Sequence, residues 1–131
     1  MHVELFRTRT SDGLFLCGQL MLPNETMQPT LPVDAFLLVH GTASNFYAGG
    51  VLQTFAEQAV AAGAAVLRVN TRGHDQMAAI PSERGSVAGG AAYECIAECC
   101  FDVTAWVESL VARGFSRIAL VGHSMGAVKA I

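Results

Sequence analysis

The chain is 131 residues long, which fits one domain able to bury a real core. Hydrophobic residues make up 52% and charged residues 15%, and the formal net charge is −3. The balance offers no cationic stripe for nucleic acid and implies a largely buried sheet. The longest apolar runs, at residues 35–39 and 118–121, fall far short of the roughly eighteen residues of a membrane span. The amino terminus lacks the continuous apolar segment of a secretory signal. Four cysteines, three of them crowded at positions 95, 99 and 100, do not resemble a disulfide framework. Free thiols in the cytoplasm are the expectation.

In chain order, residues 3–8 alternate apolar and charged side chains, and Asp12-Gly13 marks a turn before residues 14–22. This predicts an antiparallel hairpin. Residues 23–32 hold three prolines and no apolar periodicity, so they read as an exposed loop. Residues 35–39 are continuously apolar up to His40-Gly41, the pattern of a strand covered on both faces. From Gly50, the apolar positions Val51, Leu52, Phe55, Ala56, Ala59 and Val60 recur at helical spacing, and Gly63 is the expected cap. Residues 64–69 form a second buried strand, apolar apart from Arg68, and end in the turn-rich Asn70-Thr71-Arg72-Gly73-His74-Asp75. An irregular Gly-rich stretch follows. Ala92, Ile96, Cys99, Val103, Trp106, Val107 and Leu110 then form a helical stripe closed by Gly114. Residues 117–121 read as a third buried strand, with a further helix opening at Ser124.

Strands alternating with helices give an α/β fold with a parallel sheet covered on both faces, all within one domain. Ligands gather at the carboxyl ends of such strands. All three apolar strands end there in a distinctive loop, and the three loops are expected side by side on one rim.

The third loop carries the chemistry. Gly122-His123-Ser124-Met125-Gly126 is a G-x-S-x-G elbow, in which a sharp strand-to-helix turn exposes a strained serine. Five-residue patterns recur by chance, but an apolar strand before this one and helix-forming residues after it supply the required context. Ser124 is the candidate nucleophile. Gly122 and Gly126 are read as steric necessities, because a Cβ at either would strike neighbouring backbone. An oxyanion hole needs two N–H donors, one from the residue after the nucleophile and one from the loop after an earlier strand. Met125 supplies the first; Thr42 is the choice for the second, with Ala43 as the alternative. His40 is read as a loop-fixing residue, and Arg72 and Asp75 as structural. His123 is expected to point away from its neighbour. Cys95 and Cys99 share a helical face and read as buried free thiols without the further ligands a metal needs. No cofactor is expected.

Val39-His40-Gly41-Thr42, the loop at residues 69–74 and Leu120-Val121-Gly122-His123-Ser124-Met125-Gly126 resemble the α/β-hydrolase superfamily. Within it, the likeness is to serine hydrolases near the monoacylglycerol lipases and the serine aminopeptidase-like group. The resemblance covers nearly the whole chain. It implies a partial α/β-hydrolase fold, strands one to five of an eight-stranded sheet, and a small-molecule acyl substrate: an ester, thioester or amide. It also implies an acid and a histidine placed after the nucleophile, where seven residues remain. The expectation is therefore an amino-terminal part of a serine hydrolase, inactive by itself and prone to self-association through the unpaired strand at 117–121. A non-catalytic binding protein and an acyltransferase built on the same elbow are the alternatives.

Overall fold

Hydrophobic runs and turn residues divide the chain into β1 (His2–Arg9), β2 (Phe15–Leu22), β3 (Ala35–Val39), α1 (Val51–Ala61), β4 (Ala65–Val69), β5 (Ala78–Ser82), β6 (Gly85–Gly89), α2 (Cys99–Ala112), β7 (Ile118–Gly122) and α3 (Met125–Lys129). A 3₁₀ turn, Ile96–Glu98, leads into α2. These elements come from a computed structural model that describes residues 1–27 and 29–131. The loop expected at 23–32 is irregular at its described positions, and Gln28 lies outside the described residues.

The main sheet runs β1-β2-β4-β3-β7. The β1–β2 hairpin joins β4 antiparallel, while β4, β3 and β7 are parallel. Because successive side chains point to opposite faces and helices cover both, β3 is apolar throughout and β4 is apolar except at Arg68. Leu37, Val39, Leu67 and Val69 pack with Trp106 and Leu110 of α2, whereas Leu38 and Val66 pack on the other face with Ala56, Ala59 and Val60 of α1. Trp106 is fully buried, and its indole N–H donates to the Asn70 carbonyl at 3.0 Å. At the amino ends of the strands, Asp34 accepts from Ser116 N, Arg117 N and the Arg117 guanidinium. This clamp fixes the start of β7 against β3. No helix among the described residues is long and apolar enough to cross a membrane.

Three expectations for the segment leading into α2 are corrected. The stretch before α2 is not irregular: β5 and β6 form a hairpin, turning at Gly85 with φ +103°. Contacts with the β1–β2 turn hold it, namely a Leu14–Ser82 bridge, a Glu83 N–H to Gly13 carbonyl bond and an Arg9–Glu83 ion pair. Short strands of mostly Ala, Ser, Gly and Pro, with a single large apolar residue each in Ile80 and Val87, carry no apolar alternation to read. The helical stripe also begins later than Ala92, which is exposed in a turn closed on Gly90. Cys95 is extended (φ −98°, ψ 119°), so it is exposed rather than buried beside Cys99. Cys99 is buried, which pushes its thiol up to about 12.

Buried charge ties α2 to the loop after β4. Asp102, fully buried, accepts from the Arg72 backbone N–H at 2.7 Å and from its guanidinium at 2.8 Å. Removing one partner of such a pair strands the other. Asp102→Ala is expected to lower the unfolding free energy by about 3 kcal/mol, read by urea denaturation of the full-length protein. A loss under about 1 kcal/mol would mean that Asp12 and Glu98 suffice to hold Arg72.

Candidate active site

The turn from β7 into α3 is where local backbone geometry departs furthest from the ordinary. Ser124 stands between them with φ +56° and ψ −126°, a left-handed conformation that costs a residue with a Cβ about 1–3 kcal/mol. Surrounding contacts impose it. His123 N–H donates to the Val39 carbonyl at 3.1 Å, and Gly126 and Ala127 N–H donate back to the His123 and Ser124 carbonyls at 2.9 and 3.0 Å. A Cβ on Gly122 would lie 2.3 Å from the Gly126 carbonyl oxygen, and one on Gly126 would lie 2.2 Å from that of Val39. Gly41 makes a further close approach: its Cβ would sit 3.1 Å from Ser124 Cβ and 3.5 Å from Oγ. The loop after β3 therefore passes directly against the serine.

That loop is latched to the loop after β4. His40, 1% exposed, donates from Nδ1 to the Gly41 carbonyl at 2.7 Å and accepts the Thr71 N–H on Nε2 at 3.1 Å. Asn70 Oδ1 accepts the Phe46 N–H. Asp75, at φ +58°, donates its N–H to Ser44 and accepts from Asn45, Tyr47 and His74. Behind the elbow, Lys129 of α3 is buried against Glu94 at 2.8 Å, with Thr71 Oγ1 at 3.4 Å. Sequence patterning did not reveal this pair, because a lysine at the end of a short helix normally faces water.

A cavity of about 290 Å³ opens beside the serine, lined by Gly41, Thr42, Asn45, Arg68, His123 and Ser124 among others. His123 lines the same cavity as Ser124, and its backbone carbonyl lies against Gly41. Thr42 is an exposed lining residue; Met125 begins α3 next to Ser124 and does not line the cavity. Neither the Thr42 nor the Met125 N–H donates to an acceptor among the described residues. Asn45 Oδ1 is buried with no donor, and a ligand N–H or O–H in the cavity would satisfy it. Arg68 and Asn45 were not singled out as site residues from the sequence. The one signal was Arg68 as the single charge in an apolar strand.

Two expected outcomes follow from this geometry. Burial pushes His40 down to about 4, from about 6.5 in an unfolded chain. Between those values the unfolded state binds the extra proton, so stability rises with pH there. The contribution is complete above about pH 6.5 and is lost as pH falls toward 4. Between pH 7.5 and 4.5 the native protein should lose about 2 kcal/mol more than His40→Asn does, measured by urea midpoints. Equal losses would show that His40 is not held neutral. For the elbow, Gly126→Ala is expected to cost about 3 kcal/mol, because only backbone stands in the way of the new Cβ. A variant with unchanged melting temperature would contradict the close approach.

Residues 36–131 match the model of the Alpha/beta hydrolase family. Among solved structures, the fold is similar to an esterase of Pyrococcus furiosus at 22% identity and TM-score 0.71, covering 98% of this chain and 42% of that one. It is similar also to an alpha/beta hydrolase of a Penicillium species at 19% identity and TM-score 0.71, covering 98% and 40%. A third likeness, at 19% identity and TM-score 0.69, is to a protein of Butyrivibrio proteoclasticus with ferulic acid bound, covering 93% and 44%. No curated protein matches the chain. The chain spans less than half the length of each of these structures. With a family match over residues 36–131 and the same fold across nearly its whole length, the chain belongs to the Alpha/beta hydrolase family.

Proposed function

We propose that this chain carries the nucleophile and oxyanion half of a serine hydrolase that cleaves a small acyl ester, thioester or amide. The observation that carries the reading is Ser124, held at φ +56° on the tip of the strand-to-helix turn and bordering the cavity. Strain of this kind persists where the surroundings over-determine it, as at a nucleophile elbow. Ser124 Oγ attacks the acyl carbonyl while a base takes its proton. The oxygen of the resulting tetrahedral intermediate is met by the Thr42 and Met125 N–H groups, and the leaving group departs with a proton. Water then releases the acid from the acyl-enzyme and restores the serine.

The proton acceptor is the missing member of this scheme. His40 uses both ring nitrogens to hold its loop, and Asp75 engages Nδ1 of His74. The resemblance puts the acid and histidine after the nucleophile, in the part of the fold that the longer structures have and this chain does not span. We assign the base to that part of the full-length protein, and, on the four unpaired thiols, we assign the protein to the cytoplasm.

An active-site-directed fluorophosphonate is expected to label the full-length protein at Ser124 and at no other serine, with Ser124→Ala removing the label, as read by peptide mass spectrometry. Absence of labelling in a folded sample would overturn the assignment.

A further inference from the structure

Arg68 and Arg72 stand four residues apart and are equally buried, at 6% and 7% exposure. Their surroundings differ. Arg72 meets Asp102, Asp12 and Glu98 at 2.8, 2.9 and 3.1 Å. Arg68 has no carboxylate in ion-pair range among the described residues, and its guanidinium makes one hydrogen bond, to the Ala48 carbonyl. The carboxylate whose field reaches it is Glu57 of α1, which itself accepts from Gln53. A guanidinium has five N–H donors in a planar fork. Most of that fork is without a protein partner, on a strand position whose neighbours Val66 and Leu38 pack apolar against α1. Its unbonded nitrogens are not among the buried unpartnered atoms of the described residues, so the fork opens on solvent in the cavity, and a purely structural role on this apolar face would be served as well by leucine.

The cavity beside Ser124 supplies the missing explanation. Arg68 lines it, and no Asp, Glu or Lys does. We propose that Arg68 is a specificity residue that binds a carboxylate carried by the substrate, so that the preferred substrates are small esters bearing a carboxylate a few bonds from the reacting carbonyl. The planar fork accepts a carboxylate with two parallel N–H bonds, which fixes orientation as well as charge. A single cation suits a monoanion better than a phosphate dianion, and about 290 Å³ suits a short acyl or alcohol group. With the carboxylate on Arg68 and the carbonyl at Ser124, the substrate is held at both ends. The carboxylate also answers a guanidinium that, among the described residues, has no carboxylate partner. This inference rests on the serine-hydrolase reading above.

The test uses the full-length protein and two matched pairs of esters. Mono-p-nitrophenyl glutarate, with its carboxylate on the acyl side, is compared with p-nitrophenyl pentanoate. The butyryl ester of 4-hydroxybenzoate, with its carboxylate on the leaving group, is compared with the butyryl ester of 4-hydroxyacetophenone. One acid is expected to exceed its neutral partner in kcat/KM by about tenfold or more, which also tells acyl from alcohol recognition. In Arg68→Gln that ratio should fall toward one, and Arg68→Lys should keep part of it. Equal rates within both pairs, or a preference that neither variant changes, overturns the proposal while neutral-ester turnover upholds the serine chemistry. If Arg68→Gln does not fold, the native ratios and Arg68→Lys decide. If no ester turns over, calorimetry with glutarate separates the two readings: binding lost in Arg68→Lys or Arg68→Gln upholds the anion site, and no binding overturns it.

Discussion

Helix α3 lies so close to the carbonyl oxygens that end β3 that no Cβ fits between them, and the rest of the rim follows from that contact. Gly126 meets the Val39 carbonyl, and Gly122 meets the first turn of α3. Both contacts require β7 to pair with β3 in the register that sets Gly122 opposite Val39. A one-residue slip would exchange the faces of β7 and put its side chains where α3 must rest. Asp34 pins the same pairing from the other end through Ser116 and Arg117, whose hydrogen bonds hold the Asp34 carboxyl well below the usual carboxylate range. With register fixed at both ends, the chain leaves β7 in one direction only. Ser124 then takes the strained conformation because its neighbours leave no other.

Charge inside the molecule is distributed along the same logic. Lys129 and Arg72 are each answered by carboxylates from elsewhere in the chain, Glu94 for one and Asp102, Asp12 and Glu98 for the other. These pairs join segments that backbone pairing does not. Lys129–Glu94 anchors the helix after the elbow to the turn before α2, and Arg72–Asp102 anchors the loop after β4 to α2 itself. Buried pairs are poor sources of net stability against apolar replacements, but they are geometrically exacting. Here they stiffen the two layers that flank the serine. Arg68 breaks the pattern because its fork opens on the cavity instead of on a carboxylate.

Much of this was legible in the sequence because the informative elements obey simple periods. The apolar runs of β3 and β4, the spaced stripe of α1 and the turn at Asp12-Gly13 each state their own structure; β7 forms as a strand but, as the edge of the sheet, is not buried as expected, and Leu120 is 38% exposed. Gly122 and Gly126 could be read as close approaches because the G-x-S-x-G context says what they approach. The β5–β6 hairpin was not legible, since Ala78–Ser82 and Gly85–Gly89 have no apolar alternation and are held by partners some seventy residues earlier. The start of α2 was not legible either, since Ala92 and Ile96 fit the helical spacing although Cys95 is extended and Glu94 turns inward to Lys129. Nor did the strand pattern reveal the role of Arg68. A charge in an apolar run announces itself, but whether a carboxylate answers it depends on residues brought together only by the fold.

The histidines show why such a rim separates scaffolding from proton transfer. His40 lies behind Gly41, which touches Ser124, and so looks well sited for a base. Its Nδ1–H is committed to the Gly41 carbonyl and its Nε2 to the Thr71 N–H, so taking a proton would break the bond that joins the two loops. Under the proposed chemistry, turnover would then loosen the loop that carries the Thr42 amide just as that amide is needed as an oxyanion donor. Burial, by pushing His40 down to about 4, prevents this at neutral pH. His74 is constrained in a milder way, since Asp75 holds its Nδ1 while also tying Asn45 and Tyr47. A base for Ser124 must cycle between protonation states without disturbing the donors it works beside. Under the proposed serine chemistry, that requirement would be met by a histidine from a segment outside these two loops, leaving the β3 and β4 loops free to stay rigid.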